Sequence, residues 1–222
     1  MMYLSHVLLV LLIISCQTSN DKIDTSSAPS IQVIDTDFSK GQLNNLQTIE
    51  LKDLVKFHGH LCDGLVVGYL GLHEALNTLY PDGIIDRTNT RIISKSPPCL
   101  TDVAIYLTGG RYQFNSFYVD NEIEGFYLVQ RIDNQKAYRV SLKKNVRPKI
   151  IDSLGNLAIQ KKLNFDELKK LKILEDNFSK KLLNSETSNL FEIEPMQNFN
   201  WQPKTKNDYL KTDIINKFVK RD

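Results

Sequence analysis

Three of the four histidines and two of the three cysteines fall between positions 58 and 99. His58, His60 and Cys62 lie within five residues, in the run Phe57-His58-Gly59-His60-Leu61-Cys62. Imidazole and thiolate together suit zinc or another late first-row transition metal. Alternate residues of an extended loop project to one side, so this spacing could present three donors to one point. Cys99, directly after Pro97-Pro98, could supply a fourth. Asp102, three residues further on the same helical face, could orient a ligating imidazole from behind or bind directly. The spacing equally allows a Cys62–Cys99 disulfide with His58 and His60 as ordinary polar residues, because His-x-His-x-Cys is a weaker signal than paired Cys-x-x-Cys motifs. His73 is about 16 Å of helical rise from Cys62 and reads as a core or rim histidine. No residue is assigned a catalytic role.

The elements that must hold these donors are legible around them. Thr48 to Phe57 has near-helical apolar spacing. After Cys62-Asp63-Gly64, the stretch LVVGYLGLHEALNTLY is apolar nearly all round and predicts a buried helix ending near Tyr80-Pro81-Asp82-Gly83. A thiol at its entry would have its pKa lowered by the helix N-terminus. Gly64, Gly68, Gly71 and Ala75 line one face of that helix, where small residues permit another backbone to approach closely. Arg91 to Ser94 reads as a short strand. Leu100 to Leu107 reads as a helix, with Thr101 as N-cap and Thr108-Gly109-Gly110 as its glycine end. RYQFNSFYV from Arg111, then EGFYLVQRI and KAYRVSL around Asp133-Asn134-Gln135, predict strands, the last two as a hairpin. Beyond Pro148 two amphipathic helices follow, the second with Asp166 and Glu167 early and Lys180-Lys181 late, as the helix dipole favours.

The rest of the chain speaks to compartment. Val7 to Ile14 is an eight-residue apolar run, too short to span a membrane and suited to a signal-peptide core. Ile13-Ile14-Ser15-Cys16 resembles a bacterial lipobox, which implies residues 1–15 as a signal peptide cleaved before a lipidated Cys16. The n-region, MMYLSH, lacks the usual Lys or Arg. The expected location is the bacterial cell envelope, facing the periplasm or on the outer surface, with the membrane as partner through the lipid on Cys16. Residues 16–47 are polar and read as a flexible tether, with a short strand allowed at Ile31 to Ile34. The folded part is expected over 48–195, and 196–222 reads as a polar, basic tail whose main large anchor is Trp201. A hydrophobic content of 41% and charged content of 24% exclude wholesale disorder and a polytopic membrane protein. A net charge of +2 gives no electrostatic case for nucleic acid as a partner.

Two blocks carry a resemblance. Phe57-His58-Gly59-His60-Leu61-Cys62-x-Gly64-Leu65-x-x-Gly68-Tyr69 and Cys99-Leu100-Thr101-Asp102-Val103-Ala104-Ile105-Tyr106-Leu107-Thr108-Gly109 resemble the signatures of FmdE, a family of formylmethanofuran dehydrogenase components. Asn189-Leu190-Phe191-Glu192-Ile193 is similar to the segment that closes the family domain. The resemblance covers about 51–195. It implies an α+β domain that binds a metal through His58, His60, Cys62 and Cys99, with Asp102 as a near neighbour. Asp63 stands where the family usually has Pro, and Gly110 where it usually has Cys, which removes one potential ligand or redox partner. The zinc ribbon that members often append is missing. A lipoprotein leader is foreign to a cytosolic methanogenic complex, so formylmethanofuran chemistry is not carried over.

The expectation is therefore a single α+β domain: an antiparallel sheet packed against a buried glycine-rich helix, with a helical C-terminal part. Its expected function is an envelope-anchored lipoprotein holding a transition metal, zinc first. An enzymatic version adds an open coordination position. The alternative is a non-catalytic binding or interaction module with a structural Cys62–Cys99 disulfide. Any small-molecule ligand, homo-oligomerisation and the native metal stay open.

Overall fold

The computed structural model describes residues 23–36 and 44–202. The leader, Cys16 and the tail beyond Gln202 lie outside the described residues. A five-stranded sheet forms the centre, built from β4 (Thr90–Ser94), β5 (Phe117–Val119), β6 (Tyr127–Arg131), β7 (Ala137–Leu142) and β8 (Phe191–Pro195) in the order β5-β4-β6-β7-β8. Every pair is antiparallel except β4–β5, which is parallel. A parallel pair needs a crossover connection. Here the crossover is α3 (Pro98–Thr108), and its buried Leu100, Val103, Ala104 and Leu107 pin it to the core.

The predicted buried helix is α2 (Asp63–Leu79), which packs against α3, β6, β7 and the long C-terminal helix α5 (Phe165–Leu183). Alternation in β6 sends Tyr127 and Val129 inward toward this helix layer and Leu128 outward. The glycines of α2 admit side chains rather than a second backbone. A Cβ on Gly68 would lie 2.8 Å from the Tyr127 hydroxyl, and one on Gly71 would lie 2.8 Å from the Phe126 ring. The β6–β7 hairpin and α5 follow the sequence reading. Asn164 and Glu167 close a capping box at the α5 start, and Lys180 and Lys181 lie in its last turn. The helix α4 (Lys149–Ile159) precedes it, and the short α6 (Thr187–Leu190) leads into β8.

Four local expectations are corrected. The short strand allowed at Ile31 to Ile34 forms as β1 (Ile31–Ile34), but with Ile31 and Val33 in the core, so folded structure begins before position 48, within the chain read as tether. β1 pairs antiparallel with β2 (Gln47–Ile49) and parallel with β3 (Ile84–Asp86), a burial supplied by distant partners that a four-residue run cannot announce. Thr48 and Ile49 belong to β2, and the helix α1 (Leu51–His58) starts only behind Glu50, whose side chain forms a capping box with Asp53. In α3, Thr101 is not the cap. The helix starts at Pro98, two residues before the expected Leu100, because Pro98 fits the first turn, where its missing N–H has no partner to lose. The run from Arg111 forms a 3-10 turn at Tyr112–Phe114 before β5, and Asn115 at φ 58° breaks the strand. Trp201, expected as the anchor of the tail, packs with Ile93, Tyr118 and Leu128 on the outer face of the sheet.

Among the described residues no helix is long and apolar enough to cross a membrane.

Candidate metal centre

The helix α1 (Leu51–His58) ends on His58, and Gly59 turns the chain with φ 97°, a left-handed conformation that glycine adopts without penalty. The loop is therefore not extended, and the expected alternation of donors is broken. His58 and Cys62 share one side, while His60 is exposed, its ring centroid 4.6 Å from that of His58.

Cys62 is the N-cap of α2, its Sγ accepting the Leu65 N–H at 3.4 Å. Cys99 is in the first turn of α3. Because α2 and α3 pack side by side, their N-termini bring the two sulfurs together beside Gly64. A Cβ there would lie 2.7 Å from Cys99 Sγ and 4.0 Å from Cys62 Sγ. The donor atoms of His58, Cys62 and Cys99 all lie within 4.8 Å of one another, and all three residues are half-buried. His58 is fixed from behind: its Nδ1 is 2.8 Å from Asp102 Oδ2, and its Nε2 is 3.8 Å from Cys62 Sγ. Of the five positions singled out in the sequence, three thus form one donor group, Asp102 orients one of them, and His60 stands outside it. Neither cysteine is bridged, so the disulfide alternative is not the arrangement found.

The residues fit a metal. Zinc–nitrogen and zinc–sulfur bonds of about 2.0–2.1 and 2.3 Å at a tetrahedral angle would set N and S about 3.6 Å apart. The 3.8 Å between His58 Nε2 and Cys62 Sγ is close to that. Asp102 supplies the carboxylate that commonly orients a ligating imidazole and selects the nitrogen left to bind. The group can hold a transition metal ion.

The two thiols differ in acidity. A hydrogen bond from Cys62, aided by the charge of His58, brings Cys99 down from 9.0 to about 7 against the opposing effect of burial. Cys62, the donor of that bond and itself desolvated, is pushed up. The carboxylate of Asp63 resists ionisation of both sulfurs. Only 6% exposed, Asp63 receives the Gly64 N–H at 2.8 Å and Arg147 Nη1 at 2.5 Å. Arg147 also holds Asp152 at 2.7 Å. Sequence reading missed Arg147, 84 residues away. The one signal pointing to it was a buried-helix entry that carries Asp where a Pro was expected. Tyr127 was also missed as a site residue. It is fully buried and donates to the Leu100 carbonyl at 2.8 Å, bracing the first turn of α3 that carries Cys99.

The family model for FmdE, described as "Molybdenum formylmethanofuran dehydrogenase operon", matches residues 57–192, well over half of the chain. The chain belongs to the FmdE family. The match begins at the residue before His58 and runs into β8, so it spans both helix N-termini and the sheet that orients them. No curated protein matches the chain. The matched segment contains the donor group at the α2 entry and most of the α+β domain that carries it.

Proposed function

We propose that this FmdE domain binds one zinc ion through His58 Nε2, Cys62 Sγ and Cys99 Sγ, and that the chain is held at the bacterial envelope by a lipid on Cys16. The observation that carries the metal reading is the convergence of one imidazole and two sulfurs within 4.8 Å, with the imidazole fixed by Asp102. One nitrogen and two sulfurs favour zinc over the hard cations magnesium and calcium, which take oxygen. Three protein donors are also the number found in zinc sites that keep a position for water or substrate. The exposed imidazole of His60 is close enough to His58 to act at that position, as a fourth donor or on a bound molecule.

The envelope reading is supported by the apolar run Val7 to Ile14 followed by Ser15-Cys16. Elemental analysis of protein purified from its own envelope tests the metal. About one zinc per chain is expected, falling to background in Cys62→Ala and Cys99→Ala. A metal-free wild type, or variants that bind zinc as tightly, would sink it. Labelled fatty acid incorporated into wild type and not into Cys16→Ser tests the anchor.

A further inference from the structure

We infer that the two sulfurs of this centre form a reversible oxidation switch: an oxidant of the hydroperoxide class joins Cys62 to Cys99 and thereby expels the metal. The inference rests on the metal reading above and adds a regulation to it.

Three observations carry it. The sulfurs are both free thiols, and both belong to the group whose donor atoms lie within 4.8 Å of one another. They converge beside Gly64, where the absence of a Cβ leaves the space between them open. Each is partly exposed and sits at the first turn of a helix, one as the cap of α2 and the other within α3. An oxidant reaches them without unfolding of either helix, and bonding them asks for movement only at two helix ends.

The chemistry balances without a further reactant. One thiolate attacks the hydroperoxide oxygen, breaking the O–O bond; it becomes a sulfenic acid and releases the alkoxide, or hydroxide from hydrogen peroxide. The second thiolate attacks that sulfur, forming the S–S bond and expelling hydroxide. Two electrons pass from the sulfurs to the peroxide. The metal loses two of its three protein donors, and His58 alone is a weak ligand. A dithiol reductant reverses the bond and restores the site.

The test uses the full chain carrying Cys16→Ser, loaded with Zn²⁺ and treated with hydrogen peroxide. Zinc release is followed with a chromogenic chelator, and the bond is mapped by mass spectrometry of unreduced peptides. The expected result is about one equivalent of zinc released per chain, loss of two thiols, a Cys62–Cys99 cross-link, and recovery of zinc binding after dithiothreitol. Zinc retained under peroxide overturns the switch and leaves the metal reading intact. So does zinc released with sulfinic acids or inter-chain bonds in place of the cross-link. Reduced protein that binds no zinc at the start overturns both.

Discussion

Asp102 Oδ2 and His58 Nδ1 lie 2.8 Å apart although 44 residues separate them in the chain. The carboxylate sits on α3 and the imidazole at the end of α1, so this contact ties the two helices together at the donor group. It also decides which ring nitrogen faces Cys62, because a carboxylate accepts a proton held on Nδ1 and leaves Nε2 with a lone pair.

Replacing Asp102 with Ala should therefore weaken zinc binding by about 10–100-fold while leaving a stoichiometric site. Competition against a chelator of known affinity measures this. An unchanged affinity would mean that the imidazole is not a ligand.

His58→Ala and His60→Ala should separate. The first removes a donor and should lower stoichiometry or affinity severely. The second should keep about one zinc per chain, since His60 is exposed and outside the group. Elemental analysis of both variants decides, and the reverse order would put His60 in place of His58.

Zinc affinity should climb with pH. The metal binds thiolates and must displace their protons. The hydrogen bond from Cys62 holds Cys99 below the usual thiol range, and Cys62 is held above it. Where both thiols are protonated binding displaces both of their protons, and at higher pH, once Cys99 is ionised, only that of Cys62. The log affinity should accordingly rise more steeply on the acid side than on the alkaline side. Titrations in buffers of differing protonation enthalpy read the protons released. No dependence on pH would show that the sulfurs are not ligands.

Arg147→Ala should destabilise the fold. Losing one partner of a buried ion pair costs about 3–5 kcal/mol. The Arg147 side chain is 30% exposed and that of Asp63 is 8% exposed, so water screens part of the pair and the cost should fall below that range. Adding Asp63→Pro, which removes the stranded carboxylate at a helix position that tolerates proline, should recover part of the loss. Urea denaturation of the single and double variants measures both.

Gly64→Ala puts a Cβ 2.7 Å from Cys99 Sγ. Overpacking of this kind costs about 1–3 kcal/mol, and the sulfur rather than the helix backbone is the part that can shift. Lower zinc affinity with a modest fall in the urea midpoint is expected. Unaltered zinc binding would show that the sulfurs do not need this approach.

Local signals were enough to read much of the chain. The α2 helix was legible as a 16-residue apolar run, the β6–β7 hairpin as alternation around a turn, and the end of α3 as Thr-Gly-Gly, with Gly109 at φ 60°. Each rests on periodicity or on end residues within a few positions. The concentration of His and Cys between 58 and 99 was equally local. It identified the donor set without saying which donors meet.

That choice belonged to the tertiary structure. Gly59 reverses the chain after His58, so spacing by two does not place His60 with its neighbours, and a contact four residues apart replaces it. The parallel β4–β5 pair requires a crossover, and the crossover helix carries Cys99 and Asp102 to the entry of α2. Arg147 reaches Asp63 across 84 residues, and β1 is buried by strands far away in sequence. Residue types and short-range periodicity are properties of the chain taken a few residues at a time. Distances between donors on three helices depend on how a sheet orders its strands, which no local window contains.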